Sequence, residues 1–297
     1  MSGVHVPAGV RADSYKASIP LIRRSKLTTR DRGGIGKHLS DGWCLNFAVG
    51  CTHACPFCYV DAIHKRFGPG RYGDSVLRTW GDYLLVPSNL EDAIERTPWS
   101  KWKGIEVMLS STHDPYLPTL APWARRILAR ALEEGVRFCV QTRSYLVTKD
   151  MDLLEAYHNQ VRLQVSIATM DRDFARLIEP RVPPPEARVD ILRRAQGHGL
   201  KAGLIMAPIF PPVGVRPEAG QDIRSIVRAL DGIRLDHVYG ESLHVRGQNM
   251  RLLEAALGER VIIPPGFDDD AARVFRQEWG RRLVDATWWY ERPEAVS

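Results

Sequence analysis

The stretch Leu45–Tyr59 reads LNFAVGCTHACPFCY and joins an apolar run directly to three closely spaced cysteines. Leu45–Val49 is a short strand candidate, and Cys51, Cys55 and Cys58 follow it with the spacing C-x3-C-x2-C. Three thiolates on one loop can hold three irons of a cubane cluster, which leaves the fourth iron without a protein ligand. Because metal catalysis needs an open coordination site, this loop predicts a reactive metal centre.

Two other interpretations of the cysteines are weaker. A tetrahedral zinc site needs a fourth ligand, which only Cys44 or His53 could supply here. His53 stands between two of the cysteines, where a short loop would be strained in bringing the imidazole round. A ferredoxin-type carrier needs a fourth cysteine close by, and the sequence lacks one. An odd total of five cysteines, three of them clustered, is also a poor disulfide framework.

Outward from this loop, strand-like apolar runs alternate with amphipathic helical stretches. Each strand–helix unit spans about 30 residues, which is typical of a parallel sheet with right-handed crossovers. Six such units favour an α/β fold of the TIM type that is an open, partial (β/α)6 barrel and not a closed eightfold one. The predicted strands are Leu45–Val49, Ile105–Leu109, Val136–Gln141, Val161–Ile167, Lys201–Met206 and His237–Val245.

The barrel is expected to occupy residues 43–249, between two segments of different character. Residues 1–42 are predicted to form an irregular, basic N-terminal arm, whose eight Lys/Arg and two Asp account for the whole net charge of +6. Such an arm can bind an anion such as nucleic acid, or it can pack over the domain as a solvated leader. Residues 250–297 are predicted to form a helical, aromatic-rich C-terminal extension that packs on the barrel as a lid.

Composition places few further limits on function. The 297 residues are 44% hydrophobic and 26% charged, which is ordinary for a globular protein. No apolar run approaches the roughly 18 to 20 residues of a bilayer span, and the amino terminus lacks the apolar core of a secretory signal. The sequence therefore predicts a cytoplasmic protein without a membrane partner.

The cysteine spacing, with Phe57 in the aromatic slot of C-x3-C-x-aromatic-C, resembles the signature of the radical S-adenosylmethionine (SAM) superfamily. Most of residues 43–250 resemble the branch that contains spore photoproduct lyase and the DNA repair photolyase-like proteins. The resemblance implies a partial (β/α)6 barrel with a [4Fe-4S] cluster on the loop after the first strand, held by Cys51, Cys55 and Cys58. The shorter matches are Asn46, Gly50, His53, Tyr59, Thr112–Tyr116, Gln141–Arg143, Ser166–Ile167 and Glu179–Arg181.

The resemblance also implies which side chains bind SAM. Phe57 would line the adenine pocket, and polar residues at the carboxyl ends of strands would contact the rest of the molecule. Asp114 and Ser166 suit the ribose or amino group, and Arg181 suits the carboxylate. For the polar residues, a turn or capping role is the alternative. The predicted cofactor-binding set is Phe57, Ser111, Asp114, Thr142, Ser166 and Arg181.

The implied chemistry is the one-electron reduction of SAM to methionine and a 5′-deoxyadenosyl radical, which abstracts hydrogen from a substrate. The electron would come from an external reductant of the flavodoxin or ferredoxin type. Tyr59 and Tyr116 are candidate radical relays, with packing as the alternative. Cys44 is a candidate hydrogen donor or extra cluster ligand. Cys139, in the middle of a strand, is predicted to be a buried core residue.

Spore photoproduct lyase carries a cysteine hydrogen donor near the position of Ser110 or Ser111. A serine hydroxyl is a far poorer donor of hydrogen atoms, so reversal of a thymine dimer is not expected. Three classes of function remain. The first is a radical SAM enzyme that acts on a nucleic-acid base, which the basic arm and the resemblance favour. The second is a radical SAM enzyme for a small metabolite, and the third is a non-enzymatic metal-binding protein.

Overall fold

The computed structural model describes residues 15–25, 38–214, 216, 218 and 220–289. Its strands are β1 (Ile22–Arg24), β2 (Trp43–Leu45), β3 (Val49–Gly50), β4 (Leu84–Leu85), β5 (Glu106–Leu109), β6 (Arg137–Thr142), β7 (Val161–Ser166), β8 (Lys201–Ile209), β9 (His237–Ser242) and β10 (Asp285–Trp289). Within these residues, eight strands form one sheet in the order β1-β2-β5-β6-β7-β8-β9-β10, while β3 and β4 pair separately. Every pairing from β2 to β10 is parallel, and β1 lies antiparallel on the β2 edge. Since β1 and β10 are opposite edges, the sheet stays open and forms the predicted partial barrel.

Helices connect the parallel strands and pack on the outer face of the sheet. After β5, the buried residues Ile127, Leu128 and Ala131 recur at helical spacing. Pro122 lies in the first turn of that helix, and Gly135, with φ +81°, follows its end. The α-helices are α1 (Val60–Phe67), α2 (Pro69–Tyr72), α3 (Leu90–Arg96), α4 (Ala121–Glu133), α5 (Met151–Ala156), α6 (Arg172–Ile178), α7 (Pro185–Gly197), α8 (Gln221–Ala229), α9 (Asn249–Leu257) and α10 (Phe267–Trp279), and short 3-10 helices cover Gly73–Leu77, Trp99–Trp102 and Tyr145–Asp150.

Side chains along each strand alternate between the two faces of the sheet. On β7, Leu163 and Val165 point outward into the main core between sheet and helices. A smaller cluster occupies the inner face of the barrel, where Cys139 is fully buried, as predicted. The members of this inner cluster are Leu39, Cys44, Met108, Cys139, Ile205 and Tyr239, with Ala207 and Trp289 packed against them.

Each of the six predicted strands has a counterpart in the sheet, but the first prediction, Leu45–Val49, was wrong in its position. The sheet strand is Trp43–Leu45, residues 46–48 are not in a strand, and Val49–Gly50 pairs with Leu84–Leu85. The sequence does not predict two other strands of the sheet. β1 lies in the segment expected to be irregular, where Ile22 is buried against the core, and β10 lies in the extension expected to be helical.

Three of the basic residues of the N-terminal arm, Lys16, Arg23 and Arg24, fall within the described ranges. The other five lie outside the described residues. Arg24 stacks on the ring of Trp43, with the guanidinium carbon 4.2 Å from the ring centroid. Across the described ranges, no helix combines the length and the apolar character that crossing a membrane requires.

Candidate active site

The three cysteines lie on the loop Cys51–Cys58, called here the cysteine loop, which connects β3 to α1. Two glycines set its path. A Cβ on Gly50, which has φ +95°, would lie 2.3 Å from the backbone oxygen of Tyr83. A Cβ on Gly81, which has φ +99°, would lie 2.3 Å from the Cβ of Ala54 in the middle of the loop. The backbone at Gly81 therefore packs directly on the cysteine loop, and a larger residue would displace one of the two.

The thiols are withdrawn from solvent, with Cys55 buried and Cys51 and Cys58 half-buried. Burial raises the pKa of Cys51 to about 12 and the pKa of Cys58 to about 11, and it raises the pKa of Cys55 well above its ordinary value. The charge of Arg143 opposes this effect by lowering the pKa of Cys55 and Cys58. Without iron the thiols are protonated at neutral pH, so iron binding must release their protons.

Among the described residues, no three His, Cys, Asp or Glu side chains converge as the ligands of a single metal ion would. In a cubane each thiolate binds a different iron, so the ligands surround a larger group. Three soft sulfur donors on one loop, shielded from water, suit an iron–sulfur cluster.

Asp114, five residues after β5 ends, joins the cysteine loop to two strands of the sheet. Its Oδ2 lies 3.0 Å from Nε2 of His53 and accepts from the backbone N–H of Arg143 at 2.7 Å. Its Oδ1 accepts from the hydroxyl of Thr142 at 2.7 Å and from the N–H of Tyr116 at 2.9 Å. Burial alone would raise the pKa of Asp114, but His53 and the other donors lower it overall. The carboxylate is ionised, and both of its oxygens are hydrogen-bonded to groups that hold the loop to the strand ends.

A buried network of charges lies beside the cysteine loop. Nε of Arg143 donates to Oε1 of Glu179 at 2.9 Å, and its Nη2 donates to the carbonyl of Ala207 at 3.0 Å. The fully buried Arg188 donates to the other oxygen of Glu179 at 2.6 Å. Burial opposes ionisation of Glu179, but the two guanidinium groups lower its pKa overall. The guanidinium carbon of Arg143 lies 5.8 Å from the ring centroid of Phe57, within the cysteine loop.

Arg181 has its guanidinium on a different side of the loop. It donates to the carbonyl of Gly81 at 2.8 Å and lies 3.3 Å from Oδ1 of Asp82, and its side chain is 54% exposed. Its carbonyl oxygen lies 3.2 Å from Nδ1 of His53. Arg181 therefore supports the loop from outside, whereas Arg143 supplies the positive charge that acts on the thiols. Arg143 falls within the match Gln141–Arg143, but no role in the site was predicted for it.

Cys44, Ser111 and Tyr59 form a second group next to the cysteine loop. Nδ2 of Asn46 donates to the hydroxyl of Ser111 at 3.0 Å and approaches the sulfur of Cys44 at 3.6 Å. The hydroxyl of Tyr59 donates to the carbonyl of Ser111 at 2.8 Å. Burial raises the pKa of Cys44, so its thiol keeps its hydrogen at neutral pH.

Two further predicted residues are committed to the protein interior. Ser166 is fully buried; its hydroxyl lies 3.5 Å from Nε2 of Gln141, and its carbonyl accepts from Arg188 at 3.0 Å. Tyr116 lies in the main core, where its hydroxyl donates to Oδ2 of Asp150 at 3.0 Å. The structure thus gathers Phe57, Asp114 and Thr142 around the cysteine loop and places the ring of Tyr116 in core packing.

Comparison with known proteins identifies relatives of the chain. Residues 45–218 match the sequence profile of the radical SAM superfamily. The uncharacterized protein ORF301 of Acidianus two-tailed virus is 54% identical over 278 residues, which cover 94% of this chain and 92% of that protein. The uncharacterized protein MJ0683 of Methanocaldococcus jannaschii is 27% identical over 168 residues, which cover 56% of this chain and 60% of that protein.

Among solved structures, spore photoproduct lyase has a similar fold. A point mutant of that enzyme gives a TM-score of 0.60 at 18% identity, over 91% of this chain and 81% of its own. Its complex with the dinucleoside spore photoproduct gives a TM-score of 0.59 at 18% identity, over 84% of this chain and 76% of its own. At these identities the likeness shows the fold, while the profile match shows the family. The chain therefore belongs to the radical SAM superfamily and is an enzyme whose cofactors are a [4Fe-4S] cluster and SAM.

Proposed function

We propose that Cys51, Cys55 and Cys58 hold the cluster and leave its fourth iron to SAM. The observation that carries this proposal is the cysteine loop itself: three shielded thiols on one loop, held by Gly81 and by Asp114 at the ends of parallel strands. Bound there, the cofactors supply reductive cleavage of SAM to methionine and a 5′-deoxyadenosyl radical. A cytoplasmic one-electron carrier of the flavodoxin or ferredoxin type would deliver the electron.

In this proposal the side chains around the loop position SAM. Phe57 offers an aromatic face to the adenine, and Arg143 offers a guanidinium to the carboxylate, with its orientation fixed by Glu179. Asp114 and Thr142 act through the loop that they hold, because their polar atoms are already bonded to each other and to the backbone. Ser111 remains a proposed contact of SAM. Ser166 and Arg181, also predicted to contact SAM, support the site instead, since Ser166 is fully buried and Arg181 bonds to Gly81 outside the loop.

We further propose that the substrate is a nucleic-acid base or nucleotide. Two observations support this choice. The barrel shares its fold with spore photoproduct lyase in complex with a dinucleoside, and residues 1–42 carry the whole net positive charge of the chain. A small metabolite is the second candidate, because a fold does not determine a substrate. Reversal of a thymine dimer is not proposed, since Ser110 and Ser111 stand where the lyase has its hydrogen donor.

Cys44 is the hydrogen donor that the geometry favours for such a reaction. Asn46 contacts both its sulfur and the hydroxyl of Ser111. Cys44 lies on β2, which pairs with β5, and Ser110 and Ser111 follow the end of β5. A thiol gives up a hydrogen atom far more readily than a hydroxyl. Tyr59, bonded to the same Ser111, is the candidate relay between this thiol and the cysteine loop.

The test is anaerobic turnover of reconstituted, reduced protein with SAM and with DNA or RNA oligonucleotides that carry deuterated bases and sugars. Deuterium in 5′-deoxyadenosine would support a nucleic-acid substrate. Binding of the same oligonucleotides should weaken steeply with added salt, because contacts to phosphates release counterions. Label transfer from small metabolites alone, with binding that does not depend on salt, would favour the second candidate.

A further inference from the structure

A group of one acidic, one imidazole and one aromatic side chain stands where β9 ends. Glu241 and Trp289 are register partners on the parallel strands β9 and β10, so their side chains lie side by side on the inner face. Nε2 of His244 lies 2.9 Å from Oε1 of Glu241. The ring centroid of His244 lies 5.5 Å from that of Trp289, with an angle of 59° between the planes. Glu241, His244 and Trp289 are called here the β9 wall.

The β9 wall is attached directly to the cysteine loop. Nδ2 of the buried Asn249 donates to the carbonyl of His244 at 2.7 Å and to the carbonyl of Phe57 at 3.2 Å. A Cβ on Gly247 would lie 2.5 Å from the Cβ of Ala62, so the segment after β9 packs closely on α1. These contacts hold His244 at a fixed position relative to the cysteine loop.

The side chains of the wall are partly accessible to solvent. Glu241 is 22% exposed and His244 is 24% exposed, and Trp289 is half-buried. Through Asn249 the wall stands beside Phe57 of the cysteine loop, in the region where the radical would form.

We infer that the β9 wall binds the nucleobase of the substrate, an inference that rests on the proposed nucleic-acid function. The indole of Trp289 provides a face on which a flat base can stack. The carboxylate of Glu241 can accept hydrogen bonds from a ring N–H, and Nε2 of His244 lies 2.9 Å from it. Guanine and thymine carry an N–H on the pairing edge, so either base can stack on the indole and donate to the carboxylate at the same time. A ring without such a donor would bury the carboxylate without giving it a hydrogen bond from the base, which weakens binding.

The experiment measures nucleoside binding by equilibrium dialysis with the anaerobically reconstituted protein in the presence of SAM. Guanosine and thymidine are compared with 1-methylguanosine and 3-methylthymidine, which keep the ring but lack its N–H. We expect the methylated forms to bind about tenfold more weakly. Glu241→Ala should abolish this difference, because alanine has no side-chain acceptor for the ring N–H. Trp289→Ala should weaken all four nucleosides together, whereas Trp289→Phe should retain binding because it keeps an aromatic face.

Glu91→Ala is the matched control: Glu91 pairs with Arg126 on the surface, so its replacement should leave the preference unchanged. Equal binding of methylated and unmethylated forms, or no binding of any of the four, overturns the inference. A folded Glu241→Ala protein that still discriminates overturns it as well. Iron content is measured on the same unsubstituted protein: an intact cluster without nucleoside discrimination refutes the β9 wall alone, whereas protein that forms no cluster contradicts the proposed function.

Discussion

Arg188 donates to Glu179 at 2.6 Å, and neither side chain is more than 1% exposed. Glu179 also accepts from Arg143, so one buried carboxylate is hydrogen-bonded to two guanidinium groups. This arrangement connects the segment between α6 and α7 to the end of β6, and through Arg143 to the aromatic ring of Phe57. The buried charge network and the cysteine loop are therefore both attached at the carboxyl end of β6, where Thr142 and Arg143 lie.

Glu179→Gln should strongly destabilise the fold. The amide cannot balance the charge of Arg188, and an uncompensated buried charge lowers the free energy of unfolding by about 3 to 5 kcal/mol. Urea unfolding followed by circular dichroism measures this loss. The control is Glu186→Gln, which breaks the exposed pair with Arg172 and should cost no more than about 1 kcal/mol. Equal losses in the two variants would contradict the role given to Glu179.

Cys51→Ala, Cys55→Ala and Cys58→Ala should each abolish both the cluster and the formation of 5′-deoxyadenosine. Each replacement leaves only two of the three proposed ligands, and two thiolates cannot hold the cubane. Iron analysis, electron paramagnetic resonance of the reduced protein and product chromatography measure these losses. Cys139→Ala is the control, because Cys139 is buried in the inner cluster and is not a proposed ligand. A full cluster in Cys55→Ala would refute the assignment.

Gly81→Ala should displace the cysteine loop and reduce iron incorporation. The new Cβ would lie 2.3 Å from the Cβ of Ala54, so one of the two backbones must shift. Gly232→Ala is a matched control, since Gly232 also has a positive φ, of +75°, but a Cβ there would meet nothing within 4 Å. Both variants carry backbone strain, and only the first adds a clash with the loop. Equal iron content in the two proteins would show that the contact with Ala54 is unimportant.

The stability of the protein should fall in mild acid because of His64. Burial lowers the pKa of His64 from 6.5 to about 4. The unfolded chain binds a proton there below about pH 6.5, whereas the folded chain does so only near pH 4. The free energy of unfolding therefore falls as the pH drops through this window, by about 3 kcal/mol from this residue. Burial lowers the pKa of His113 to about 3, which adds to the effect.

Urea unfolding at pH 7 and at pH 4.5 measures this dependence. His64→Gln should reduce the dependence but not abolish it, because glutamine does not titrate while the contribution of His113 remains. His198→Gln, at a histidine exposed on the surface beside Glu155, is the control and should leave the dependence as it is. Curves that are identical for His64→Gln and the unsubstituted protein would rule out burial of His64 as the cause.

The six parallel strands and the cysteine loop are predictable because their signals are local. Apolar runs mark each strand, and three cysteines mark the loop within eight residues. The charge network has no such signal. Glu179 is 36 positions from Arg143 and 9 from Arg188, and charged residues in helical segments are ordinarily assigned to the surface. Only the folded arrangement shows that Arg143 lowers the pKa of Cys55 and Cys58, and that Arg181 bonds to Gly81 on another side of the loop.

The sequence did not predict β10 either, because the pairing of this strand is not evident from a local pattern. Asp285–Trp289 is short and aromatic-rich, and its partner β9 precedes it by two helices. Aromatic residues at that position suggest a lid that packs on the barrel. The sequence only weakly indicates a role for Glu241 and His244, which lie near the carboxyl end of a predicted strand. Their closeness to Trp289 follows from the position of β10.

The position of β10 has a consequence for any shortened form of the enzyme. In a fragment of residues 43–249, the backbone N–H and C=O groups of β9 that now pair with β10 would be left open to solvent. Exposed edges of this kind recruit strands from neighbouring molecules. The segment beyond residue 249 thus protects the barrel from self-association, and trimming the protein to its barrel would yield aggregates.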